Sequence, residues 1–204
     1  MKSFLTTVKR ALGRARAPIL WMGLTYLLGV TVGAGMVHTG SELALSYRDK
    51  LVGKAMASDP AAQASNRGFP VRAALLDFSA NLRGALPSTV MGLSVVMPFP
   101  LAAFRGWIGG IVSVDGDHKS RLGSWREGTY YLGVLVLQLI PYTLAGGTGV
   151  RLGLGFLMPG SQWGYPGSKR WLSLPVEGLR DVARIYVLVV PLFLVASLVE
   201  FLAR

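Results

Sequence analysis

Apolar residues fall in long runs rather than in short alternating strands, and the polar residues collect between those runs. Residues 18–37 are one such run, and their length at helical rise suits a first membrane-crossing helix. Residues 78–115 are apolar apart from a few polar positions, too long at about 30 core residues for one straight helix. Pro98 and Pro100 divide them, which predicts two short spans near 78–97 and 100–115, with a re-entrant hairpin as the alternative. Residues 129–152 carry no charge until Arg151, and residues 183–203 form a last apolar run around Pro191. The pattern therefore predicts an all-α fold: a polytopic membrane helix bundle of about five transmembrane helices, with short broken helices and small extramembrane segments.

The segments between the runs are informative too. Residues 1–17 place Phe4, Leu5, Val8 and Leu12 at helical spacing among Lys2, Lys9, Arg10, Arg14 and Arg16, the pattern of a basic amphipathic helix on a membrane surface. A signal peptide fits less well, because the following apolar run exceeds an h-region. Residues 38–77 turn polar, and Pro60, Gly68 and Pro70 punctuate them into two short helices and a loop. Residues 154–182 contain the turn signals Pro159-Gly160 and Pro166-Gly167, followed by a short amphipathic helix from Pro175 to Val182. The basic residues before residue 18, together with Arg151, Lys169, Arg170, Arg180 and Arg184, put the N-terminus inside and the C-terminus outside.

Composition narrows the function classes. Across 204 residues the net charge is +11, yet only 15% of residues are charged and the mean hydropathy is +0.46. The cations sit at the edges of apolar runs, which suits lipid head groups and excludes a nucleic-acid groove. There is no cysteine, hence no disulfide and no thiolate metal site. His38 and His118 have no partner at metal-binding spacing and read as loop or interface residues. Gly147, Gly149 and Gly153 follow a membrane run and lack the spacing of a dinucleotide loop. No nucleophile elbow or acid–base pair emerges, so the chain is expected to be no enzyme and to need no cofactor or metal.

The residues that stand out are polar groups inside apolar runs and small residues at helical spacing. Gln138, Tyr142, Ala145 and Gly149 share one helical face, and Ala145, Gly149 and Gly153 continue it as a stripe that admits a close neighbour. Pro141 predicts a kink just above Gln138. Gly29 and Gly33 form another small-residue pair in the first run. Asn81, Arg83, Arg105, Gln138 and Glu200 are costly in lipid and mark function or inter-helix bonding. Matching depths along the runs, Arg105 is expected to reach back to head groups rather than pair with Glu200. Glu200 is expected to cluster with Asn81, Arg83 or both.

These same positions carry a resemblance. Ala145-Gly146-Gly147-Thr148-Gly149-Val150-Arg151-Leu152-Gly153 matches the Ala-Gly-small-small-Gly-apolar-Arg-apolar-Gly pattern of the stage II sporulation protein M family. The family's preceding Glu falls on Gln138. Its Phe-x-x-Asn is matched by Phe78 and Asn81. Its Asn-Gly-x-x-x-Gly is matched by Gly106 and Gly110, with Arg105 in place of Asn. Its closing Ala-x-x-Ile-Glu is matched from Ala196 to Glu200. The resemblance implies a non-enzymatic integral scaffold of the plasma membrane. In spore formers the namesake works in the machinery that remodels peptidoglycan during engulfment, holding wall-degrading partners at the septum. The lipid bilayer and other membrane or envelope proteins are then the expected partners, with homo-oligomerisation open and nucleic acid excluded. A permease-like subunit served by a separate ATPase is the alternative, suggested by short helices and midplane polar groups.

Overall fold

The computed structural model describes residues 2–165 and 171–202. The expected turn at Pro166-Gly167, the cations Lys169 and Arg170 and the last residue of the 183–203 run lie outside them. The described residues hold seven α-helices: α1 (Lys2–His38), α2 (Glu42–Ser58), α3 (Pro60–Asn66), α4 (Pro70–Met91), α5 (Pro98–Ile111), α6 (Trp125–Leu157) and α7 (Val176–Leu202). With this architecture the chain is an all-α membrane bundle.

Helix α6 is the axis. Its 33 residues span about 50 Å at 1.5 Å per residue, and over half of its most apolar window is buried by protein. Helices α1 and α7 expose far more of their apolar surface: Leu20, Trp21, Leu24, Leu28 and Val32 on α1, Val187 and Val195 on α7. In a bundle solvated by lipid such faces are satisfied by acyl chains. Helices α1, α6 and α7 are long and apolar enough to cross a bilayer. Helix α4 has 22 residues with more polar positions, and α5 has only 14, about 21 Å.

Neighbour contacts settle the directions. Helix α6 runs opposite to α1, since Gly147 meets Ile19 while Tyr131 reaches Gly109 of α5 at the other end. Helix α7 is antiparallel to α6, with Gly178 against Leu152 and Glu200 against Gln138. Helix α4 runs with α6, as Asn81 meets Tyr142 and Gly92 meets Gly149. Helix α5 returns parallel to α1: Gly29 and Gly33 lie on the carbonyls of Ala103 and Trp107, while Gly106 and Gly110 lie on those of Tyr26 and Val30. A β-carbon at any of the four would overlap backbone, so glycine sets this backbone-on-backbone contact. The break at residues 92–97, a single 3₁₀ turn (Gly92–Ser94) followed by Val95 at φ 66°, separates α4 from α5.

Several boundaries differ from the sequence reading, each for a visible reason. Residues 1–17 and 18–37 are not two elements, because α1 runs on through Pro18. The amphipathic stretch from Pro175 likewise continues into the last run as α7. Helix α4 begins at Pro70, eight residues before the expected span, with Pro70 at a first-turn position where a missing N–H costs nothing. The segment 38–77 does hold two short helices. Asp59 caps α3 by accepting from Ala61 N (2.6 Å) and Ala62 N (3.2 Å). Gly40 (φ 76°) and Gly68 (φ 79°) close α1 and α3 in Schellman motifs, with Ser41 N donating to Met36 O and Phe69 N to Ala64 O.

Candidate functional site

Tyr130, Val134, Gln138 and Tyr142 recur every fourth residue and form one face of α6. This face walls a cavity of about 300 Å³ that reaches Tyr26 of α1, Asn81 of α4, Arg105 of α5 and Glu200 of α7, with Arg121 at the end where α6 begins. Asn81, Arg105, Gln138 and Glu200, which lie far apart in sequence, are therefore brought to one place.

Their hydrogen bonds run from helix to helix. Gln138 Nε2 donates to Glu200 Oε2 (2.7 Å), and the Tyr130 hydroxyl donates to the Glu200 carbonyl, tying α6 to the end of α7. The Tyr142 hydroxyl donates to Asn81 Oδ1 (2.7 Å), and Asn81 Nδ2 donates to Asp77 Oδ2 (2.8 Å). That carboxylate oxygen also accepts from Ser197 Oγ of α7 (2.7 Å). The chain Tyr142–Asn81–Asp77–Ser197 thus links α6, α4 and α7. Behind it Tyr142 packs edge-on to Phe193, with ring centroids 4.7 Å apart. A second cavity of about 220 Å³ lies on the other side of Glu200, lined also by Asp59, Asp77 and Met56.

Two expectations are corrected here. Glu200 accepts from Gln138, not from Asn81 or Arg83. Asn81 is engaged by Asp77 and Tyr142, and Arg83 points outward with its Nε on Ser79 O (3.2 Å). Depth along the helices was insufficient because the face of each side chain, set by helix rotation, decides which groups meet. Arg105 does not reach back to head groups. Its Nη2 donates to Gly84 O of α4 (2.8 Å), and its guanidinium lies 4.2 Å above the Tyr142 ring. A carbonyl and an aromatic face supply inside the bundle what snorkelling would supply at its edge.

The stripe of Ala145, Gly149 and Gly153 faces one neighbour, α4 and the turn that follows it, while Gly147 on another face of α6 meets α1. Gly149 and Gly153 lie on the backbones of Thr89 and Gly92, and Ala145 O accepts from Thr89 Oγ1 (3.0 Å). Gly147 lies on the backbone of Ile19, on α1. The segment from Ala145 to Gly153 therefore lets α6 touch α4 and α1 at backbone distance at the same level.

The opposite end of the bundle holds two acids, Asp181 and Glu177, that the sequence reading passed over. Asp181, 1% exposed, accepts from Arg14 Nε (2.6 Å), Arg14 Nη2 (2.6 Å) and Arg184 Nη1 (2.9 Å). Glu177 takes a second bond from Arg184 (2.5 Å), and the cluster clamps α1 to α7. The signal was available: Gly178, Asp181, Ile185, Val189, Phe193 and Ala196 follow helical spacing, so Asp181 occupies a core position and requires a cationic partner. Arg151, 4% exposed, donates from Nε to Arg14 O (3.1 Å) and from its terminal nitrogens to the Trp163 and Gly164 carbonyls, with its guanidinium 4.2 Å over the Tyr165 ring. The histidines serve local contacts, His38 with Ser113 Oγ (3.2 Å) and His118 with Asp49 (3.0 Å). Among the described residues no three His, Asp or Glu side chains converge as a metal site requires.

The arrangement can hold helices together and can receive a polar group in its cavity. Comparison with curated proteins and with solved structures returns no match for this chain. A family model does match, over residues 22–202, which contain the whole α6 stripe, Arg151, the cavity residues Asn81, Arg105, Gln138 and Glu200, and the buried Asp181. On that match the chain belongs to the stage II sporulation protein M family.

Proposed function

We propose that this chain is a non-enzymatic, multi-pass scaffold of the plasma membrane that holds partners for cell-envelope or peptidoglycan remodelling. One observation carries the reading: α1 with α5, and α6 with both α1 and α4, meet at backbone distance through glycine. Helices locked in this way resist the rocking of one half against another that alternating access requires, and they suit a rigid platform. The exposed apolar faces of α1 and α7 then lie in lipid. The basic start of α1 and the Arg180–Arg184 end of α7 face the cytoplasm, and α2 and α3 lie outside. The test is affinity purification of the full chain in mild detergent, with a reporter fused after Arg204. Co-purification of wall-processing or other envelope proteins, and a reporter active only outside, support the reading. A reporter active only in the cytoplasm overturns the topology.

The polar cavity favours one second reading, a permease-like subunit driven by a separate ATPase. In the same purification, capture of a P-loop ATPase whose hydrolysis rises with this chain present decides for transport and against the scaffold.

A further inference from the structure

Tyr26 of α1 is 4% exposed, yet its hydroxyl makes no hydrogen bond among the described residues. It lines the inner end of the 300 Å³ cavity. A β-carbon at Gly109 would lie 3.9 Å from that oxygen, so the glycine leaves it uncovered on one side. Arg105 of α5 lines the same end. Its Nη2 donates to Gly84 O, and its face lies on Tyr142, whose hydroxyl it also reaches. A guanidinium carries five N–H donors, so part of the fork stays open to the cavity. Among the described residues no carboxylate lies at ion-pair distance from Arg105. Glu200 lines the cavity too, but it is held by Gln138, about 6 Å along α6 from Tyr142. A buried phenol without an acceptor is costly, and a guanidinium inside an apolar bundle calls for an anion. A single group answers both: a carboxylate accepts from O–H and N–H alike.

We propose that the inner end of this cavity binds the carboxylate of a monocarboxylic acid, held by Arg105 and by the Tyr26 hydroxyl. Its two oxygens match the forked guanidinium, and a remaining lone pair takes the Tyr26 proton. The rest of the acid lies along Tyr131, Val134 and Leu135 towards the mouth. Glu200 sets the selectivity. One carboxylate fits at Arg105, whereas a second on the same molecule would point at Glu200 and be repelled. The volume is at the low end of small-molecule sites, which start at about 300 Å³, and takes a short acid whole or the head of a longer one. Binding leaves the Gln138–Glu200 bond and the charges around Arg121 as they are, and it is independent of the scaffold reading.

Calorimetric titration and thermal melting of the full chain in a non-ionic detergent test the site. Propionate and lactate are the water-borne probes, dodecanoate the lipid-borne one, and succinate the dianion. The monocarboxylates should bind, and succinate only at about tenfold higher concentration, the weight of one unfavourable charge contact. Tyr26→Phe removes only the unbonded hydroxyl. Without ligand it should melt with the native chain, while its affinity for the monocarboxylates falls about tenfold, as for one hydrogen bond to a charged acceptor. Arg105→Gln should abolish binding, and Glu200→Gln should narrow the gap to succinate. Binding of propionate or lactate assigns the site to a water-borne acid, and binding of dodecanoate alone assigns it to a fatty acid of the bilayer. No saturable binding of any monocarboxylate, equal affinity for succinate, or a Tyr26→Phe protein with unchanged affinities overturns the proposal.

Discussion

Arg151 occupies the hydrogen-bonding position that Pro18 leaves empty. Proline at position 18 has no N–H for the carbonyl of Arg14, four residues earlier, and Arg151 Nε donates to that oxygen at 3.1 Å. A break expected from the sequence is thereby bridged by a side chain from another helix, and α1 continues as one element of 37 residues. Pro18→Ala returns the N–H and removes the need for the bridge. Arg151→Ala should therefore cost more stability in the native background than in Pro18→Ala, by about 1 kcal/mol of coupling, measured as a double-mutant cycle by denaturation in detergent. Additive costs would show that the contact carries no weight.

Gly149→Leu forces a branched side chain into the backbone of Thr89. A loss of about 1–3 kcal/mol, or failure to accumulate, is expected from overpacking. Gly35→Ala is the control, since a β-carbon there meets nothing within 4 Å and alanine is the better helix former. The two variants should fall on opposite sides of the native melting temperature. Equal melting temperatures would mean that α4 and α6 separate freely.

Glu200→Gln keeps an acceptor for the Gln138 amide, whereas Glu200→Leu removes it and strands the donor. Expression and melting should rank native, Glu200→Gln, Glu200→Leu in falling order. Adding Gln138→Leu to Glu200→Leu should cost little further, because both polar partners are then gone. A double variant much worse than Glu200→Leu would place the value of Gln138 elsewhere.

At the far end, α2 is pinned to the 115–120 turn through Asp49, which takes Arg48 Nη1 at 2.9 Å and His118 Nε2 at 3.0 Å. The Arg48 bond first, and the His118 bond second, hold the Asp49 carboxyl below the usual aspartate range. A carboxyl held low in the folded state contributes stability above its unfolded value, about 3.9, and loses it as pH falls through the lower folded value. Hydrogen exchange in α2, corrected for intrinsic rates, should therefore rise in the acid range below the ordinary aspartate value. Asp49→Asn should raise exchange at neutral pH and abolish the acid step. An unchanged acid step in that variant would assign it to another group.

The hydrophobic pattern by itself determined the class of this protein: long uncharged runs bury backbone polar groups in lipid only as helices, so the bundle and its main apolar runs were legible residue by residue. It also singled out Asn81, Arg105, Gln138 and Glu200, since a polar side chain in such a run is conspicuous whatever it touches. Tertiary structure alone decided which of them meet. Gln138 finds Glu200 and Asn81 finds Asp77 because helix rotation and the parallel return of α5 along α1 set the facing surfaces, and neither quantity is written in local periodicity. Helix ends show the same division. Gly40 and Gly68 stop helices through their own backbone freedom, a local property visible in sequence. Pro18 stops nothing, because the donor that compensates it comes from Arg151, distant in sequence and adjacent only after α6 has packed against α1.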